Sequence, residues 1–181
     1  NNSIMDAFDP DFAEQARKGI KNDVKETADD PWCIGYFVHN ELHWGWKTIG
    51  GGAITAGPDQ PAKKAFVKML KEKYPSIDKL NNSWNTDYSS WDALLESKEA
   101  PDMEKAEKDC RAFAAAFAEV YFKTIRDAVK AAAPNKLYLG CRFNTYYPES
   151  CQAAAKYCDI VSFNAYKYPY PVKTFQVPGG G

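Results

Sequence analysis

The stretch Pro31-Trp-Cys-Ile-Gly-Tyr-Phe-Val-His-Asn-Glu-Leu-His-Trp-Gly-Trp46 constrains the fold of this chain more than any other. It begins as an apolar, β-prone run bounded by Asp-Pro, then changes within two residues to Asn40, Glu41, His43 and Trp44 before a glycine-rich segment. An apolar strand that delivers polar residues at its carboxyl end belongs to a parallel sheet whose ligand site lies beyond the strand tips. There the strand fixes the backbone and the following loop carries the chemistry.

The order of elements around this stretch supports a parallel arrangement. Asp9-Pro10 opens a helix in which Phe12, Ala16, Ile20 and Val24 recur every fourth residue, running to about Thr27. A strand is predicted over 32–39. A flexible loop follows at Gly50-Gly51-Gly52, then a helix from Pro61 with Phe66, Met69, Leu70 and Tyr74 on one face, then short helical pieces through 76–100. Asp102 precedes the longest predicted helix, in which Met103, Ala106, Cys110, Phe113, Phe117, Tyr121, Ile125 and Ala128 hold the helical period until Pro134-Asn135. A second strand over 136–143, a short helix over 148–157 and a third strand over 160–166 complete the pattern. Alternating β and α elements imply parallel strands joined by crossover helices.

Within the strands one face reads apolar and the other small or polar. Leu137, Leu139 and Cys141 oppose Tyr138, Gly140 and Arg142, and Val161 and Phe163 oppose Ser162, Asn164 and Tyr166. A sheet covered on both faces would prefer continuous apolar runs, so the alternation favours a barrel wall with helices outside and a functional interior. The expected fold is α/β: part of a (β/α) barrel, with three parallel strands, outer helices, and residues 46–100 as an insertion walling the active-site face. In that arrangement Glu41, His39, Arg142, Asn164 and Tyr166 converge.

A net charge of −1 with scattered lysines leaves no basic stripe for a phosphate backbone or an anionic membrane, so neither nucleic acid nor membrane is an expected partner. No apolar run approaches the ~18 residues a bilayer span needs. Five cysteines without a Cys-x-x-Cys pair read as buried free thiols, with Cys151 and Cys158 the nearest pair for a disulfide. No cofactor is implied.

A carboxylic acid at a strand tip beside an amide and several indoles suits general acid catalysis on a sugar. The acid must hold its proton near neutral pH, which requires a raised pKa, and aromatic rings offer faces to sugar C–H groups. Trp44, Trp46, Trp84 and Trp91 supply such rings. Trp84 and Trp91 read better as packing residues of the insertion, and Trp44 as a substrate contact. A rival reading is a metal site, since His39, Glu41 and His43 at i, i+2 and i+4 share one face of an extended strand. A non-catalytic carbohydrate-binding fragment is a third.

Several blocks, in order, carry a resemblance: Phe8-Asp9-Pro10; Asp30-Pro31-Trp32-Cys33-Ile34-Gly35-Tyr36-Phe37 with Asn40-Glu41-Leu42; Leu137-Tyr138-Leu139-Gly140-Cys141-Arg142-Phe143; and Ser162-Phe163-Asn164. Together they resemble the (β/α)8 glycoside hydrolases of clan A, in the β-agarase and β-galactosidase-like branch, over about the fourth to sixth strands of the barrel. The resemblance implies a retaining hydrolase of galactosides or agarose-type saccharides in a secreted or periplasmic setting. It makes Glu41 the proton donor and later the base, and Asn40 the ligand of the sugar hydroxyl beside the scissile bond. Tyr166 would orient the nucleophile, with Arg142 and Asn144 as substrate ligands or as loop-capping residues. His39 stands where the branch commonly has an acid. The nucleophile is expected on a strand beyond this stretch, since 167–181 contains no acid and Glu149 sits at a helix start. The chain alone is therefore expected to be inactive, and to associate with a second copy or with the remainder of the barrel.

Overall fold

A computed structural model describes residues 4–166, and these divide into two compact units. The first comprises residue 4 with 13–43 and 118–166; the second comprises 5–12 and 44–117.

The first unit carries helix α1 (Phe12–Val24), strand β1 (Gly35–Tyr36), strand β2 (Leu137–Tyr138), helix α7 (Pro148–Tyr157) and the C-terminal half of α6 (Glu107–Ala132). Strands β1 and β2 pair in parallel, Gly35 opposite Leu137 and Tyr36 opposite Tyr138. A third extended segment joins them in parallel through a bridge between Phe143 and Phe163. The parallel order read from the sequence holds, but the strands are far shorter than predicted. Left-handed backbone at His39, Gly140 and Arg142 bends both segments out of regular pairing. Hydrogen bonds nevertheless continue past the strand ends, from Val38 N–H to Gly140 O (3.0 Å) and from Asn164 N–H to Phe143 O (2.8 Å).

The predicted alternation fails in the second strand. Leu137 is 36% exposed, while Tyr138, Leu139 and Cys141 are all buried. This near-continuous burial removes the sequence argument for a two-faced barrel wall, and the described residues form a helix-rich fold with a small parallel sheet. At Gly35 a Cβ would meet the Leu137 carbonyl oxygen at 2.3 Å, so only glycine lets the two strands approach this closely.

Around α6 and α7 the first unit is tied by charge-assisted bonds. Asp159 accepts from the Tyr138 N–H (2.7 Å) and pairs with Lys130 (2.8 Å), and Glu119 accepts from the Tyr157 hydroxyl (2.6 Å) and Lys156 (2.9 Å).

The second unit holds a π-helical turn (Lys47–Gly51), α2 (Gly52–Thr55), α3 (Pro61–Lys73), α4 (Ile77–Trp84), α5 (Trp91–Glu96) and the N-terminal half of α6. The predicted Gly50-Gly51-Gly52 loop is helical instead. Gly50 lies against the Cys110 backbone, where a Cβ would meet Cys110 Cα at 2.7 Å, so glycine serves close packing there. The long helix starts later than predicted because Asp102 first closes a turn, its carboxylate accepting from Glu104 N–H (2.9 Å).

A buried carboxylate organises this unit. Asp109 is 2% exposed and accepts from Trp84 Nε1 (2.8 Å), the Tyr74 hydroxyl (2.8 Å) and Lys73. Phe66 stacks on Phe113 with centroids 4.5 Å apart, and Trp84 meets Phe66 edge-on. Trp84 is thus the packing residue the sequence implied, and Trp91 begins α5 with its ring partly covered. Lys63, fully buried, donates to Ala56 O (2.9 Å) and Ser97 O, the carbonyls that end α2 and α5.

All five cysteines are free. Burial pushes the thiols of Cys110 and Cys158 up to about 12 and that of Cys151 up to about 11, which makes them poor nucleophiles. Among the described residues no helix is long and apolar enough to cross a membrane.

Candidate active site at the ends of the parallel segments

Beyond Tyr36 the chain runs into a tight turn in which His39 (φ 63°) and Glu41 (φ 54°) both take left-handed backbone. The Glu41 N–H is shared between Cys141 O (3.2 Å) and Arg142 O (3.3 Å), which ties the turn to the tail of β2. Arg142 is left-handed as well (φ 49°). Three non-glycine residues in this region, each costing about 1–2 kcal/mol, lie on the two adjoining segment ends. Such strain persists only where surrounding bonds over-determine the backbone.

The turn presents the Glu41 carboxylate to the third segment. Oε1 accepts from Asn164 Nδ2 (2.5 Å) and from the Tyr166 hydroxyl. Asn164 Nδ2 also reaches Asn40 Oδ1 (3.3 Å) and the Tyr166 oxygen (3.2 Å), so Asn40, Glu41, Asn164 and Tyr166 form one connected group. The Arg142 guanidinium, 4.8 Å from the Phe37 ring centroid, adds a positive charge close to Glu41.

These partners set the ionisation of the site. The Tyr166 hydroxyl above all, then the Asn164 amide and the Arg142 charge, hold the Glu41 carboxyl below its usual range. The same bond raises Tyr166, because losing its proton would place two negative oxygens together. The enclosed, proton-holding environment expected for Glu41 is therefore not what these residues build: hydrogen-bond donors stabilise the anion.

Of the remaining predicted site residues, His39 turns to Tyr121, its Nδ1 hydrogen-bonded to the Tyr121 hydroxyl with ring centroids 5.9 Å apart. Loss of hydration beside that ring lowers its pKa. Asn144 accepts from the Tyr147 hydroxyl (3.5 Å), the loop-capping alternative. His43 is exposed. Trp44 is 0% exposed, so its indole offers no face for a sugar to stack on, against the expectation of a substrate contact.

The metal reading loses its premise, since left-handed His39 and Glu41 are not on an extended strand. Among the described residues no three His, Cys, Asp or Glu side chains gather as a ligand set. The contacts that sequence reasoning missed are Tyr121 and Phe37. Both sit at positions where the apolar period reads them as packing residues, and nothing in the pattern marks a hydroxyl or ring face turned towards the site.

The chain is similar to known proteins over most of its length. Beta-agarase B and Beta-agarase A of Vibrio sp. (strain JT0107) are 34% identical over 176 residues and 36% identical over 182 residues; the matches cover 90% and 91% of this chain and 18% of each relative. A solved structure described as an exo-beta-agarase superposes with a TM-score of 0.80 at 37% identity, over 91% of this chain and 24% of that one. The chain thus spans about a fifth to a quarter of the length of these proteins. The glycoside hydrolase 42 family, described as beta-galactosidase, matches residues 8–177. That match takes in every described helix and strand, the Glu41 turn and the Asn164 segment alike, and by it the chain belongs to the beta-galactosidase family of glycoside hydrolases.

Proposed function

We propose that this chain carries the general acid/base of a retaining glycoside hydrolase for galactosides or agarose-type saccharides, with Glu41 in that role. The observation that supports it is the convergence of Asn164 and Tyr166 on one Glu41 oxygen, at the carboxyl ends of parallel segments. Asn40 and Asn164 offer amide groups to a sugar hydroxyl beside the scissile bond, and Arg142 a positive charge.

The lowered pKa of Glu41 defines what is still needed. As held by Tyr166 and Asn164, Glu41 is ionised at neutral pH and cannot protonate a leaving group. The retaining route uses a second carboxylate about 5–5.5 Å away, and a negative charge at that distance raises the first group. The nucleophile would therefore both attack the anomeric carbon and convert Glu41 into an acid. Glu149, in the first turn of α7, is better explained by the free amides there. On this reading the chain is part of a (β/α)8 barrel. Trp32 (91% exposed) and Ile34 (69%), flanking β1, would be covered by the rest of the barrel or by another copy. Residues 46–100 would carry substrate specificity, as long insertions between barrel strands do.

The test is hydrolysis of agaro-oligosaccharides and aryl β-galactosides by the full-length protein, by this chain, and by Glu41→Gln and Glu149→Gln. Expected are turnover by the full-length protein, at least a hundredfold loss in Glu41→Gln, and little change in Glu149→Gln. For this chain alone the lowered Glu41 pKa favours binding without turnover. Turnover by the isolated chain that both substitutions abolish would overturn the proposal.

A further inference from the structure

We propose that His39 and Tyr121 form a positioning pair whose hydrogen bond holds the left-handed turn that aims the Glu41 carboxylate; this rests on the acid/base reading of Glu41. Two left-handed non-glycine residues two positions apart are costly, and the turn persists only if something outside it prefers that conformation. Backbone bonds fix its two flanks: Val38 N–H to Gly140 O before it, and Glu41 N–H to Cys141 O and Arg142 O at its end. Between those flanks two side chains reach another element: Asn40, whose Oδ1 accepts from Asn164 Nδ2 (3.3 Å), and His39, the left-handed one of the two, whose Nδ1 meets the Tyr121 hydroxyl.

Tyr121 is suited to be the fixed partner. It lies on the 26-residue helix α6 at 0% exposure, its ring edge-on to Phe122 at 5.3 Å, so the hydroxyl has little freedom to follow a moving turn. Burial also keeps the phenol protonated, and loss of hydration keeps the imidazole neutral, so the phenol O–H can donate to Nδ1. Their effect passes through the backbone, from the His39 ring to its Cα and two residues onward to the carboxylate. A proton donor displaced by about 1 Å loses much of its effect on the departing oxygen.

A merely structural pair and a positioning pair differ in one readout. Weakened proton donation penalises poor leaving groups, which need the proton, and spares activated ones, which do not. The experiment measures kcat/KM of the full-length protein on aryl β-galactosides from dinitrophenyl to unsubstituted phenyl, for Tyr121→Phe, His39→Ala, the double variant and His39→Asn. Circular dichroism melting of each variant is recorded alongside.

The expected result for Tyr121→Phe and for His39→Ala is a loss of roughly tenfold or more on phenyl galactoside and less than about threefold on the dinitrophenyl substrate. The double variant should be no worse than the worse single one, because one bond is lost in each. His39→Asn should recover most of the loss, since Asn tolerates left-handed backbone and presents an acceptor near the position of Nδ1. Equal losses on all leaving groups, or no loss, would overturn the proposal. Glu41→Gln run beside them separates the two readings. A steep leaving-group dependence in Glu41→Gln with none in the His39 and Tyr121 variants sinks this inference alone, whereas none in Glu41→Gln sinks the acid/base reading with it.

Discussion

The two compact units treat their surfaces in opposite ways. In the second unit two buried charges are paired: Asp109 gathers Trp84, Tyr74 and Lys73, and Lys63 closes the ends of two helices. In the first unit Trp32, Ile34, Phe37, Leu137, Ile160 and Tyr166 remain exposed around short, kinked strands. Monomeric surfaces rarely leave so many large apolar groups along one small sheet. The candidate site lies in this first unit, beside those exposed side chains.

The largest expected effect falls on the paired unit. Asp109→Ala strands Trp84 Nε1, leaves the Tyr74 hydroxyl with only Ser83 Oγ (3.1 Å), and leaves Lys73 without its buried partner, a loss of about 3 kcal/mol or more. Urea denaturation monitored by tryptophan fluorescence measures it. A loss under about 1 kcal/mol would mean that the second unit is not organised around this carboxylate.

Next in size are the two close-packed glycines, one in each unit. Gly35→Ala drives a Cβ into the Leu137 carbonyl and Gly50→Ala drives one into the Cys110 backbone. Each is expected to cost about 1–3 kcal/mol. If the second unit is self-contained, amide exchange should show Gly50→Ala loosening α3 and α6 while Gly35→Ala frees only the β1–β2 pairing. Spread of either effect through both units would erase the distinction.

A smaller, pH-dependent difference should separate them too. In the first unit Asp159 (through Lys130, then the Tyr138 N–H), Glu119 (through Tyr157, then Lys156) and Asp127 (through Lys123) all have carboxyls held below their ordinary values. A group whose folded pKa is depressed stabilises the fold above its unfolded pKa and ceases to do so as pH falls through the folded one. Protection of the Tyr138 amide should therefore fall below pH 4, and Asp159→Asn should lower that protection at pH 7 and remove its dependence on pH. Unchanged protection down to pH 2 would contradict this.

The sequence disclosed element order well and geometry poorly. The helical stretches of α1, α3, α6 and α7 follow from apolar periods and from Asp9, Pro61 and Pro148 at their starts, signals local to each segment. The parallel order follows from the alternation of element types. Strand length and facing were not legible, because left-handed turns at His39 and Arg142 depend on partners distant in sequence, such as Tyr121 and Cys141. The glycine run was misread for the same reason: Gly50 answers to Cys110, sixty residues on. Asn40, Glu41, Asn164 and Tyr166 were legible as a group because each stands at a segment end, whereas the burial of Trp44 depends on packing that no local pattern encodes.

The most direct test of the central claim compares the Glu41 pKa in this chain with that in the full-length protein, by carbon-13 NMR of the labelled side-chain carboxyl. In this chain the value should lie below the ordinary 4.5, as the Tyr166 and Asn164 donors dictate. In the full-length protein it should rise as the second carboxylate comes alongside, and fall back when that carboxylate is replaced by its amide. The same depressed value in both would contradict the account, because a carboxyl that stays ionised in the complete site cannot be the proton donor.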